Sequence, residues 1–252
     1  MVDNMQDNTQ TSASELEDQG NEFLKEENYT KAVECYNKAI QINTYNSRLY
    51  YKRSAAYHFM GEPEKALSDA KKIIQLKPND KTGYVVCGEV CMSISEYQKG
   101  IEFLKRALEL DDNNAYYYWL IGLGYSGLNN YEKAIESYKK AIEIYPNYVE
   151  VYYNLGETYR TLKDYENALR CFIKLIEFSP NDPYAYYILA STYIEIKSYE
   201  KAVKILDKVL EFDPNSANAY LTLAYCYNKL KQPDKAEECR NKAAELGNKE
   251  KE

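Results

Sequence analysis

Two short strings and one residue class in this 252-residue chain have the types and spacings that chemistry requires. Gly122, Gly124 and Gly127 spell G-x-G-x-x-G, which at a strand-to-helix junction lets backbone N–H groups approach the pyrophosphate of a dinucleotide. Cys87 and Cys91 stand one helical turn apart, close enough to present two thiolates to one metal ion. Aspartate and glutamate total 39, the raw material of acid–base catalysis. Partners for these groups are missing. The chain has one histidine, His58, which leaves neither a nucleophile–base relay nor a filled zinc site, and no G-x-S-x-G or H-E-x-x-H string occurs. The carboxylates mostly alternate with lysines, as in Glu132-Lys133 and Glu136-Ser137-Tyr138-Lys139-Lys140, the pattern of a solvated, ion-paired helix face. The chain reads as non-enzymatic, with no cofactor and no metal.

The elements that would position these residues account for them differently. Counted from Ala13, the chain divides into seven consecutive blocks of 34 residues ending at Glu250. Position 4 holds Leu16, then Tyr50, Tyr84, Tyr118, Tyr152, Tyr186 and Tyr220. Position 8 holds Gly20, Ser54, Gly88, Gly122, Gly156, Ala190 and Ala224, and position 20 is alanine in every block except for Gly100. A fixed period of this length marks a solenoid. Positions 4, 8 and 11 share one helix face in a large-small-large stripe, and positions 20, 24 and 27 make a second stripe. Small residues at 8 and 20 let two helices cross closely while large ones at 4, 11 and 24 fill the flanks. Pro78, Pro146, Pro180 and Pro214 at position 32 end the second helix. Each block is therefore helix A, a turn and helix B.

Within that register the glycine string falls inside helix A of the fourth block, where no strand precedes it. Cys87 and Cys91 occupy core positions 7 and 11, so they read as reduced, packed thiols. More than half of the 28 tyrosines belong to positions 4, 11 and 17 and are scaffold.

The blocks resemble the tetratricopeptide repeat family. In the fifth block the residues that carry the resemblance are Tyr152, Leu155, Gly156, Tyr159, Ala168, Phe172 and Pro180. The resemblance implies an all-α, right-handed superhelical solenoid of seven helix-turn-helix repeats over residues 13–246. Residues 1–12 read as a disordered acidic leader and residues 247–252 as a charged tail. Block seven carries Arg240 where the others mostly have a large apolar residue, which suits a solvating terminal helix.

Composition narrows the function. Net charge is −7 and the isoelectric point is near 5.1, so approach to phosphate backbones is electrostatically unfavourable and nucleic acid is not expected as a partner. No apolar run approaches the ~20 residues needed to span a bilayer, and the N-terminus lacks the order of a signal peptide, so the expectation is a cytoplasmic protein without membrane contact.

By family resemblance, positions 2, 5, 6, 9, 12 and 13 face a groove lined by the A helices. Those positions supply Tyr51, Lys52, Tyr116, Trp119, Tyr153, Asn154, Tyr184 and Tyr187 as candidate peptide-binding residues. Aromatic anchors in a concave site are what peptide hot spots are made of. Two roles stay open for the tyrosines at position 5: packing on the next repeat, or forming the groove floor. The resemblance thus implies a scaffold that binds a peptide segment of a protein partner.

The opening GNEFLKEENYTKAVECYNKAI resembles co-chaperone domains that clamp the C-terminal carboxylate of heat-shock chaperones. Their five clamp positions correspond here to Glu17, Asn21, Lys52, Thr82 and Val86, and only Asn21 matches. A basic cluster of Lys25, Arg48 and Lys52 faces Glu17 and Asp18 and reads as locally neutralised. A co-chaperone-like adaptor and a structural subunit of a larger complex are the alternatives.

Overall fold

In the computed structural model, residues 12–249 are described, and every regular element among them is an α-helix. They fall into two compact units, the first ending at Asn130 and the second beginning at Tyr131. The first contains α1 (Ala13–Lys25), α2 (Tyr29–Ile42), α3 (Ser47–Phe59), α4 (Pro63–Leu76), α5 (Lys81–Ser93), α6 (Tyr97–Leu110) and α7 (Ala115–Gly127). The second contains α8 (Tyr131–Ile144), α9 (Val149–Thr161), α10 (Tyr165–Phe178), α11 (Pro183–Glu195), α12 (Tyr199–Phe212), α13 (Ala217–Lys229) and α14 (Pro233–Lys249). Helix starts recur at the spacing read from the sequence, so the chain is an all-α array of paired helices.

The turn between the paired helices is the same in each block. Its central residue adopts a left-handed conformation at Glu27, Gly61, Ser95, Asn129, Lys163, Lys197 and Lys231. The next backbone N–H reaches back into helix A, as from Asp164 to the Tyr159 carbonyl at 2.9 Å and from Ser198 to the Tyr193 carbonyl at 2.8 Å. Lys163 and Lys197 make the companion bonds to the Arg160 and Ile194 carbonyls. This is a Schellman closure, which satisfies the carbonyls that a helix end leaves open.

The predicted close crossings are present. A Cβ on Gly20 would lie 2.6 Å from the Tyr36 ring, on Gly88 2.6 Å from Leu104, and on Gly156 2.5 Å from Phe172. Glycine at position 8 therefore makes room for the large residue at position 24. In the second block Ser54 and Ala70 take those positions, and the Ser54 hydroxyl donates to the Ala66 carbonyl at 3.0 Å. Tyrosine recurs at position 4 because its hydroxyl reaches the preceding connection. Tyr50 donates to the Thr44 carbonyl, and Tyr84, Tyr152 and Tyr186 donate to the carbonyls of Pro78, Pro146 and Pro180.

The ends differ in detail from the sequence expectation. The leader expected over residues 1–12 lies outside the described residues except for Ser12, which is the N-cap of α1. Its hydroxyl accepts from the Glu15 amide and the Glu15 carboxylate accepts from the Ser12 amide, a closed capping box. Of the tail expected over residues 247–252, Gly247, Asn248 and Lys249 belong to α14 and the remainder lies outside the described residues. In α14 the buried side chains are Ala236, Ala243 and Leu246, while Arg240 pairs with Glu237 at 2.7 Å.

Candidate functional site

In the first unit α3, α5 and α7 lie side by side, each contacting the next, and their outward positions line a cleft of about 550 Å3. Position 9 of α3 is Ala55, which leaves a low floor. Tyr51 and Phe59 rise from α3, Glu89, Val90 and Met92 from α5, and Tyr116 and Trp119 from α7. Tyr51 is 46% exposed, Phe59 61% and Tyr116 37%, so these rings are not spent on the core. Trp119 is half-buried, and its ring lies 5.6 Å from that of Tyr116. The Tyr116 hydroxyl donates to Glu89 Oε1 at 2.8 Å. The wall is shaped from behind by Met92. A Cβ on Gly100 or Gly124 would come within 2.9 Å and 2.7 Å of its terminal methyl carbon.

Of the residues predicted for this part of the groove, Tyr51, Tyr116 and Trp119 meet in the cleft. Lys52 is not among its lining residues. It turns toward α1, where its ammonium donates to Asn21 Oδ1 at 2.7 Å, and the same oxygen accepts from the Tyr36 hydroxyl at 3.1 Å. The rest of the basic cluster is paired as well: Arg48 with Glu17 at 2.8 Å and Lys25 with Glu22 at 2.8 Å. At the other two clamp positions Val86 is buried under the cleft and Thr82 is half-buried in the first turn of α5.

In the second unit the predicted residues lie on α9 and α11. The Tyr153 and Tyr184 hydroxyls are 3.4 Å apart and their rings 6.1 Å apart. That hydrogen bond, reinforced by burial, pushes the Tyr153 phenol up to about 12. Tyr187 meets Thr222 of α13, hydroxyl to hydroxyl, at 3.2 Å. Asn154 is half-buried beside them, and its backbone carbonyl accepts from Thr158 at 2.7 Å. Arg160 bridges Glu157 at 2.6 Å and Glu195 at 3.0 Å. Tyr184, Leu221 and Tyr225 remain exposed on this unit.

Sequence reasoning singled out residues at positions 2, 5 and 6 and missed Phe59, Glu89 and Met92. They stand at positions 13, 9 and 12, which had already been assigned to the groove, so the signal was available. The chemical look-alikes resolve as packing. The glycine string lies wholly within α7, where a Cβ on Gly127 would meet the Tyr97 ring at 2.6 Å. Cys87 and Cys91 are free and buried, and burial pushes the Cys87 thiol up to about 12. Among the described residues no group of three potential ligands could hold a metal, and no helix is long and apolar enough to cross a membrane.

A family model described as "TPR repeat" matches residues 20–61 and 125–163, and one described as "Tetratricopeptide repeat" matches 47–80. A third, "Anaphase-promoting complex, cyclosome, subunit 3", matches 161–243. The chain is 41% identical over 81 residues to a protein STIP1 homolog of Dictyostelium discoideum, which is 32% of this chain and 14% of that one. It is 37% identical over 84 residues to the Hsp70-Hsp90 organizing protein of Triticum aestivum, 33% of this chain and 14% of that one. The chain thus corresponds to a small part of the length of these relatives. Among solved structures, the C-terminal part of a TPR repeat-containing protein from Cytophaga hutchinsonii superposes with a TM-score of 0.77 at 21% identity, covering 90% of this chain and 93% of that one.

Proposed function

Because the chain belongs to the tetratricopeptide repeat family, we propose that it is a non-enzymatic interaction scaffold that holds a peptide segment of a partner protein against its A helices. The observation that supports this reading is the cleft between α3, α5 and α7, where Tyr51, Phe59, Tyr116 and Trp119 present ring surface in a concavity. A concave, mostly apolar site with a few placed polar groups is what ligand sites are made of. The second unit adds Tyr153, Asn154, Tyr184 and Tyr187 as polar-tipped contact surface. The reading excludes nucleic acid and membrane as partners, in keeping with the acidic charge, and places the protein in the cytoplasm. The test replaces Trp119 and Tyr153 by alanine together. Partners captured by the wild type and identified by mass spectrometry are lost from the double variant, whose helicity by circular dichroism is unchanged. Undiminished capture by the double variant rejects the assignment.

A second reading, a co-chaperone-like adaptor, is favoured by the similarity to Hsp70-Hsp90 organizing proteins. It makes a sharper demand, since a carboxylate clamp needs free cationic donors. Titration with a peptide ending in consecutive acidic residues separates the two, and saturable micromolar binding would favour the adaptor. The third reading, a structural subunit, follows the match to the anaphase-promoting complex model over residues 161–243. A stable stoichiometric complex by light scattering would favour it.

A further inference from the structure

Glu89 is a carboxylate at an apolar site with no cation of its own. It lines the cleft between α3, α5 and α7 and also the smaller adjoining cleft beside Tyr51, Lys81 and Val85. Its hydrogen-bond partner is the Tyr116 hydroxyl, which occupies Oε1 and carries no charge. Among the described residues no lysine or arginine is ion-paired with Glu89. Lys81, the cation of the adjoining cleft, pairs with Asp111 instead. Around the carboxylate stand the rings of Tyr51, Tyr116 and Trp119, whose faces attract cations through the ring quadrupole. Ala55, Val90 and Met92 add apolar wall, and Ser54, His58 and Ser93 line the cleft beside them.

We infer that this cleft receives a basic-apolar peptide segment: a lysine or arginine meets Glu89 against the aromatic rings while an adjacent aliphatic side chain enters between Ala55, Val90 and Met92. The inference rests on the scaffold reading and adds the chemistry of the ligand. It is the opposite of an acidic C-terminus, which Glu89 would repel. The net charge of −7 also favours encounter with a basic segment, most strongly at low ionic strength.

Trp119 is the only tryptophan, so its emission reports occupancy of the cleft. Random peptides displayed on phage are selected on the full chain, and the enriched sequences are synthesised and titrated. The expected sequences pair Lys or Arg with Leu, Ile or Met and shift Trp119 emission on binding. Replacing the basic residue by norleucine weakens binding about 10-fold, the scale of a partly desolvated cation pair. Glu89→Gln, which still accepts from Tyr116, weakens the basic peptide equally and leaves the norleucine peptide unaffected. Enrichment of neutral or acidic sequences that shift Trp119 emission, or a Glu89→Gln variant that binds the basic peptide as the wild type does, overturns the inference and leaves the scaffold reading standing. No enrichment of any sequence overturns both.

Discussion

Lys52 Nζ stands 2.7 Å from Asn21 Oδ1, and the same oxygen accepts the Tyr36 hydroxyl at 3.1 Å. The one residue that matched a carboxylate clamp is thereby bound to the one cation beside it. With Arg48 held by Glu17 and Lys25 by Glu22, the basic cluster that faces the first two helix pairs is committed within the chain. A peptide ending in acidic residues is therefore expected to give no saturable signal in calorimetry at physiological salt. The Asn21→Leu variant leaves the hydroxyl of the fully buried Tyr36 without its acceptor and is expected to cost about 1–3 kcal/mol in denaturant unfolding.

Gly156 and Phe172 are a second matched pair. Alanine at 156 would place its Cβ 2.5 Å from the ring, in a crossing with no exposed side to move into. Gly156→Ala should lower stability by about 1–3 kcal/mol through overpacking. Phe172→Leu in the same chain should recover part of that loss, and a double-mutant cycle reads the coupling directly.

Six of the seven left-handed turn residues are not glycine. A non-glycine residue there brings its Cβ close to the following carbonyl, at a cost of roughly 1–2 kcal/mol. Lys163→Gly and Lys197→Gly relieve that contact at the price of a freer unfolded chain. Each is expected to raise stability by about 0.5–1 kcal/mol, seen as a higher urea midpoint with an unchanged slope.

Burial pushes the thiols of Cys87 and Cys171 up to about 12 and that of Cys226 to about 11, from an ordinary 9.0. Burial also pushes the Tyr36 phenol up to about 12. A raised pKa for a group that is neutral when protonated means that above pH 9 the unfolded chain loses protons that the folded chain keeps. Their contribution is complete below pH 9 and is lost progressively as the pH rises toward 12. Thermal unfolding between those limits should show a falling midpoint. At pH 8 the half-buried Cys239 should react with a thiol reagent well before the other five cysteines.

Sequence alone determined that helices recur in pairs along the chain, because that depends on local and periodic terms. The 34-residue period placed the helix starts, the small residue at position 8 and the role of the glycine string within α7, and the structure agrees with each. The period also marked which positions face the groove, but not which of those side chains are available. Lys52 and Trp119 stand at adjacent groove positions, 6 and 5, in different repeats. One is drawn into a hydrogen bond between α1 and α3, and the other lines a cleft between α5 and its neighbours. Only the tertiary structure decided this, because a long side chain's partner depends on the distance and tilt between helices that are 34 residues apart in the chain. The same holds for Glu89: that no lysine or arginine among the described residues pairs with it is a property of the three helices around it and is written in no single repeat.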